Sequence, residues 1–162
     1  MRNRKPNVIF IVESNGMYSF MLSYKTHRNS NLEIASYSRA GQCIQFLHMK
    51  PDIIILDYKL LKPNATEIVQ SIKESLKDIS ILILYDLDDT GIFPELIDHK
   101  DHNKHCYIIK ENDSIKLADK LIQTINNLIE EKRDKKKLLK QKFILLGVGL
   151  IVVLISVIIF LS

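Results

Sequence analysis

Three charged residues of this chain stand where apolar runs stop. Glu13 follows NVIFIV, Asp57 ends DIIILD and Lys110 ends CYIIK. An isolated aspartate in such a place is ordinarily a turn-forming acid. Two acids and a lysine gathered at one rim have a different chemistry open to them. The carboxylates can hold a divalent cation through hard oxygen ligands, and the ammonium can neutralise an added negative charge. Whether the chain can use that chemistry depends on whether its fold gathers residues so far apart in sequence.

The elements between them are those of such a fold. Strand-like runs occur at NVIFIV (7–12), LEIASYS (32–38), DIIILD (52–57), ISILILYD (79–86) and CYIIK (106–110). Each is followed by a helix-like segment: GMYSFMLSYKTHR, RAGQCIQFLHMK, TEIVQSIKESLK, GIFPELIDHK and SIKLADKLIQTINNLIEEK. Ile68, Val69, Ile72 and Leu76 in the third helix recur at helical spacing, as do Leu117, Leu121, Ile125 and Leu128 in the last. Strict alternation predicts an α/β fold with a five-stranded parallel sheet covered on both faces, because parallel strands need crossovers that helices supply. In a doubly wound sheet the functional groups collect at the carboxyl ends of the strands. The strand ends here are Glu13-Ser14, Asp57, Tyr85-Asp86 and Lys110.

Several function classes find no support. Neither GxGxxG nor GxxxxGK[ST] occurs, which removes the commonest nucleotide-binding uses of alternating β and α. Ser14 lacks a GxSxG elbow, and no histidine falls at a predicted strand end, so a hydrolase is not expected. No enzymatic activity of its own is assigned to the chain. His99, His102 and His105 recur every third residue with Asp98, Asp101 and Cys106 among them, but the stretch reads as a short polar connection rather than a zinc site. Cys43 and Cys106 form no CxxC pattern and read as reduced, packed thiols.

Charge and hydropathy divide the chain into three parts: a domain at 7–130, a basic segment at 131–142 and an apolar segment at 143–161. Glu131 to Lys142 holds seven basic and two acidic residues, a net of +5 in a chain whose total is +4. The domain is therefore close to neutral, and nucleic acid is not an expected partner. FILLGVGLIVVLISVIIFL carries no charge and would extend about 28 Å as a helix, close to the roughly 30 Å hydrocarbon core of a bilayer. The expectation is a single transmembrane helix at the C-terminal end, with the lysines at anionic headgroups and the domain on the cytoplasmic side of the cell membrane. Only Ser162 lies beyond the expected span. Gly147, Gly149 and Ser156 offer a close-packing edge without a GxxxG, so the sequence leaves a homodimer open.

Residues 7–130 resemble a response-regulator receiver domain of the chemotaxis type. VIFIVES, PDIIILD, NATEIVQSIKE and CYIIK carry the resemblance. It implies a flavodoxin-like strand order 2-1-3-4-5 and a phosphorelay (two-component) role, in which a histidine kinase or other signalling protein passes a phosphoryl group to Asp57. It further implies Mg2+ held by Glu13, Asp57 and the backbone carbonyl of Lys59, with Ser14 a weak ligand. Lys110 would be the charge partner of the phosphate, and Tyr85 and Tyr107 the switch positions. The chain also departs from the family pattern. Ser14 replaces a second acid, Tyr85 a small hydroxyl residue, Asp86 a small residue, and Leu61 and Glu111 two prolines. These departures imply an alternative: a degenerate receiver that acts as a membrane-tethered adaptor without phosphoryl chemistry.

A peptide spanning 131–142 is expected to bind vesicles containing anionic lipid and to ignore neutral ones in a flotation assay. Equal binding to both contradicts a headgroup role for the lysines.

Overall fold

A computed structural model of the chain describes residues 5–26, 31–86, 105–110 and 113–161. The helix predicted at 91–100, together with Asp98, His99, Asp101, His102 and Glu111, lies outside the described residues. By contact density the chain divides into two compact units, Met1–Ile125 and Asn126–Ser162.

The first unit is built on β1 (Asn7–Val12), β2 (Leu32–Tyr37), β3 (Ile53–Asp57), β4 (Ser80–Tyr85) and β5 (His105–Ile109). All pairings are parallel and the strand order is β2-β1-β3-β4-β5, the doubly wound flavodoxin-like order. The three central strands are the most apolar runs of the domain, as they must be when helices cover both faces. Phe10, Ile54, Ile81 and Ile83 point to one side, where they pack with Ala40, Cys43, Val69 and Ile72. Ile9, Ile11, Ile53, Ile55, Leu82 and Leu84 alternate with them on the other side and are fully buried.

The helices of this unit are α1 (Met17–Thr26), α2 (Ala40–Gln45), α3 (Ala65–Ser75) and the start of a final helix, Ser114–Leu161. Ala65, Val69 and Ile72 give α3 a buried stripe at steps of four and three. α2 is shorter than its sequence pattern: it stops at Gln45 and continues as a 3-10 turn, Leu47–Met49, which Lys50 closes in the left-handed region at φ 54°. α1 and the final helix are tied by an ion pair between Lys25 and Asp119. Leu117, Leu121 and Ile125 are buried, as the spacing predicted, and Ala118 joins them, whereas Leu128, also expected on the inner stripe, is only half-buried.

The second unit continues the final helix. Phe143, Leu145, Leu146 and Leu150 are all well exposed. This helix is long and apolar enough to cross a membrane.

Candidate functional site at the carboxyl edge of the sheet

The parallel register brings the ends of β1, β3, β4 and β5 to one edge. Val12 pairs with Leu56, Asp57 with Leu84, and Tyr85 with Ile109. Asp57 is the last residue of β3 and caps the 3-10 turn Tyr58–Leu60, its Oδ1 accepting from the Lys59 N–H at 3.0 Å. Lys110 continues β5 beside β4, its N–H donating to the Tyr85 carbonyl at 2.7 Å. From there its Nζ reaches Asp57 Oδ1 at 2.7 Å, and both side chains are only about a tenth exposed (11% and 10%).

Asp86, directly after β4, belongs to the same cluster. Its Oδ2 lies 2.8 Å from Lys59 Nζ and 3.5 Å from Lys110 Nζ. The hydrogen bond from Lys59 is the main influence on its carboxyl; partial burial works against it, and the charge of Lys110 adds to it. The result is a pKa below the ordinary 3.8, so Asp86 is ionised at neutral pH. Asp57, Lys110, Asp86 and Lys59 thus form a chain of alternating charge across the sheet edge.

Glu13 reaches the edge but turns away from this chain. After it, Ser14 and Asn15 lead to Gly16, whose φ of 69° only glycine adopts without strain, and the turn delivers α1 back over the strand end. The Glu13 carboxylate then accepts from the N–H of Tyr18 at 2.7 Å, the N–H of Ser19 at 3.0 Å and the hydroxyl of Ser36 at 3.0 Å. It is 2% exposed. A carboxylate receiving the free N–H groups of a helix's first turn satisfies donors that have no intrahelical partner and meets the positive end of the helix dipole. Both oxygens are therefore already bonded. Ser14 is exposed. Among the described residues no three His, Cys, Asp or Glu side chains converge as metal ligands. Of the Mg2+ donor set implied by the sequence, Asp57 and Lys59 meet at this edge, while Glu13 serves as a helix cap.

Tyr18, Lys59 and Asp86 carry features that sequence reasoning missed. Tyr18 is a buried phenol whose pKa is pushed from 10.0 up to about 12, by burial first and then by the charges of Asp57, Asp86 and Glu13. It is a protonated hydroxyl set among three carboxylates. Lys59 had a place only through its carbonyl, whereas its ammonium pairs with Asp86. Tyr85 and Tyr107 are partly buried against the core on the side covered by α2 and α3. Cys43 is buried in that core, and burial pushes its thiol up to about 12, so it stays a protonated packing group.

No family model matches the sequence. A curated relative, the response regulator protein VraR of Staphylococcus saprophyticus, is 22% identical over 125 residues, 75% of this chain and 58% of VraR. The chain therefore spans less than two thirds of that relative's length. Among solved structures, a LuxR-family two-component response regulator from Aurantimonas sp. superposes with a TM-score of 0.60 at 17% identity, covering 78% of this chain and 86% of that one. The phosphorylated cyanobacterial phytochrome response regulator RcpA gives 0.59 at 21% identity, covering 74% and 91%. The response regulator domain of Thermotoga maritima CheB gives 0.59 at 16% identity, covering 77% and 97%. The chain has the fold of a response-regulator receiver domain.

Two measurements check the electrostatics of this edge. Glu13→Ala should lower the unfolding free energy by about 1–3 kcal/mol in denaturant titrations of the full chain, the cost of leaving buried N–H groups unmet. A change of only a few tenths contradicts the capping role. Because the Tyr18 pKa is raised in the folded state, its contribution to stability is whole below pH 10.0 and is lost as pH climbs towards about 12. Tyr18→Phe should remove one late-ionising phenol from an ultraviolet titration and flatten the alkaline fall in stability; an unchanged curve contradicts the assignment.

Proposed function

We propose that this chain is a membrane-anchored receiver-like signalling module of a phosphorelay (two-component) system. Asp57 is its phospho-acceptor, Lys110 its charge partner, and output passes by contact with another protein. The single observation that carries this reading is the Asp57–Lys110 pair at 2.7 Å on the carboxyl edge of a receiver fold. An acceptor needs a carboxylate fixed at a strand end with a cation beside it, because positioning and charge neutralisation supply most of the work in phosphoryl transfer. The upstream partner is a histidine kinase or another signalling protein. Tyr85, at the end of β4, and Tyr107, in the middle of β5, are the proposed switch positions.

The parts 7–130, 131–142 and 143–161 serve as receiver, basic collar and anchor. An apolar helical surface left bare in water is costly, and the exposed side chains from Phe143 to Val153 call for lipid around them. The lysines before them favour the cytoplasmic leaflet, with the receiver on that side. Self-association through the anchor is compatible with this arrangement.

A second reading has its own support. The three donors on Glu13 and the lysine pairs of Asp86 suit a degenerate receiver that binds a partner constitutively, without phosphoryl chemistry.

The experiment is to incubate the full chain in detergent with magnesium and acetyl phosphate and to follow its intact mass. A phosphoryl adduct that Asp57→Asn abolishes is expected. A folded protein that acquires no adduct even at saturating donor contradicts the acceptor role and leaves the adaptor.

A further inference from the structure

Asp86 has a carboxylate oxygen placed where the site has its positive charge. Its Oδ2 is within 2.8 Å of Lys59 Nζ and 3.5 Å of Lys110 Nζ. Those two lysines bracket Asp57: one donates its N–H to Asp57 Oδ1, the other its ammonium to the same oxygen. Any group added to that carboxylate carrying negative oxygens would seek the same two ammoniums. We propose that Asp86 is an internal anion that stands in for the phosphoryl group and gates the site, so that acceptance at Asp57 requires Asp86 to give up Lys110 and Lys59. The inference rests on Asp57 being the acceptor.

The physical argument is one of competition. A phosphoryl group brings up to two negative charges, and an ionised carboxylate in the same small space repels them while holding the cations they need. The arrangement also has a consequence without any donor present. Lys110 is already shared between two carboxylates, so the edge is held in a charge-satisfied state of the kind an added anion would otherwise create. Among the described residues, the charged groups at this edge are Glu13, Asp57 and Asp86 against Lys59 and Lys110, a net of −1. Removing the Asp86 charge brings that sum to zero and takes one carboxylate away from both ammoniums. Asp86 is therefore a specificity-setting residue that acts through the lysines rather than on the reacting atoms.

In the transfer itself, an Asp57 carboxylate oxygen forms the new bond to phosphorus. The bond between phosphorus and the acyl oxygen of the donor breaks, and acetate leaves with the electron pair.

The test compares the full chain with Asp86→Asn, which keeps the shape and removes the charge, Asp86→Ala, and Asp86→Glu, which restores it. Each is incubated with acetyl phosphate and magnesium and followed by intact mass, with unfolding midpoints recorded alongside. Asp86→Asn and Asp86→Ala should label at least roughly tenfold faster than the parent at low donor concentration, the factor expected for losing one charge-assisted contact. Asp86→Glu should stay slow, and every adduct should vanish with Asp57→Asn. The same series in a Ser14→Asp background keeps the comparison readable if metal binding limits all rates. Equal labelling of the parent and Asp86→Asn overturns the gate and leaves the acceptor reading standing. No adduct in any folded variant of either background overturns both.

Discussion

A parallel sheet places every strand's carboxyl end on the same edge, and this chain's site exists because of that constraint. β1, β3, β4 and β5 reach the edge through pairings such as Val12 with Leu56 and Tyr85 with Ile109. Register matters as much as direction. Because side chains alternate along a strand, slipping β3 by one residue would send Asp57 to the opposite face and bury a charge among isoleucines. The fully buried Ile54, Ile55 and Leu56 hold that register by packing on both faces. The hydrophobic centre and the polar rim are two results of one pairing.

At the rim, three carboxylates meet two lysines and one helix end, and each carboxylate has its own solution. Glu13 is neutralised by the first turn of α1, Asp57 by Lys110 and the Lys59 N–H, and Asp86 by both ammoniums. Tyr18 sits among them as a protonated phenol and adds no charge. Buried and half-buried charges persist only when paired in this way. On the gate proposed above, the site's capacity to accept a further anion is set by how readily Asp86 releases its lysines. That property separates this chain from a plain strand-end aspartate.

The sheet was legible because its signal is local. Runs such as NVIFIV and ILIL are short, apolar and bounded by polar residues, and their alternation with helical stripes predicts parallel pairing without further knowledge. Asp57 and Lys110 were legible because they end such runs. The fate of Glu13 was not, since it depends on how Gly16 bends the chain to bring the Tyr18 and Ser19 N–H groups onto its carboxylate. An acid followed by a glycine and then a helix start was the available clue. Asp86 stood out only as a departure from the family's small residue, because its pairing with Lys59 spans 27 residues and leaves no local pattern. Tyr18 lies within GMYSFMLSYKTHR, where nothing local marks the carboxylates that act on it. In each case the backbone followed from periodicity, while the side-chain partner depended on a turn or a crossover that periodicity does not encode.

The receiver fold, the charged edge and the apolar helix combine into one proposed picture: a receiver-fold domain whose edge is balanced by its own charges, continued in sequence by a helix apolar enough to cross a membrane. Its central claim is that Asp57 and Lys110 are a true electrostatic pair. A double-mutant cycle with Asp57→Asn and Lys110→Met, read from unfolding of the full chain, measures that pair directly. A coupling of roughly 1–3 kcal/mol is predicted for a mostly buried contact of this kind. Additive effects, with coupling near zero, would contradict it.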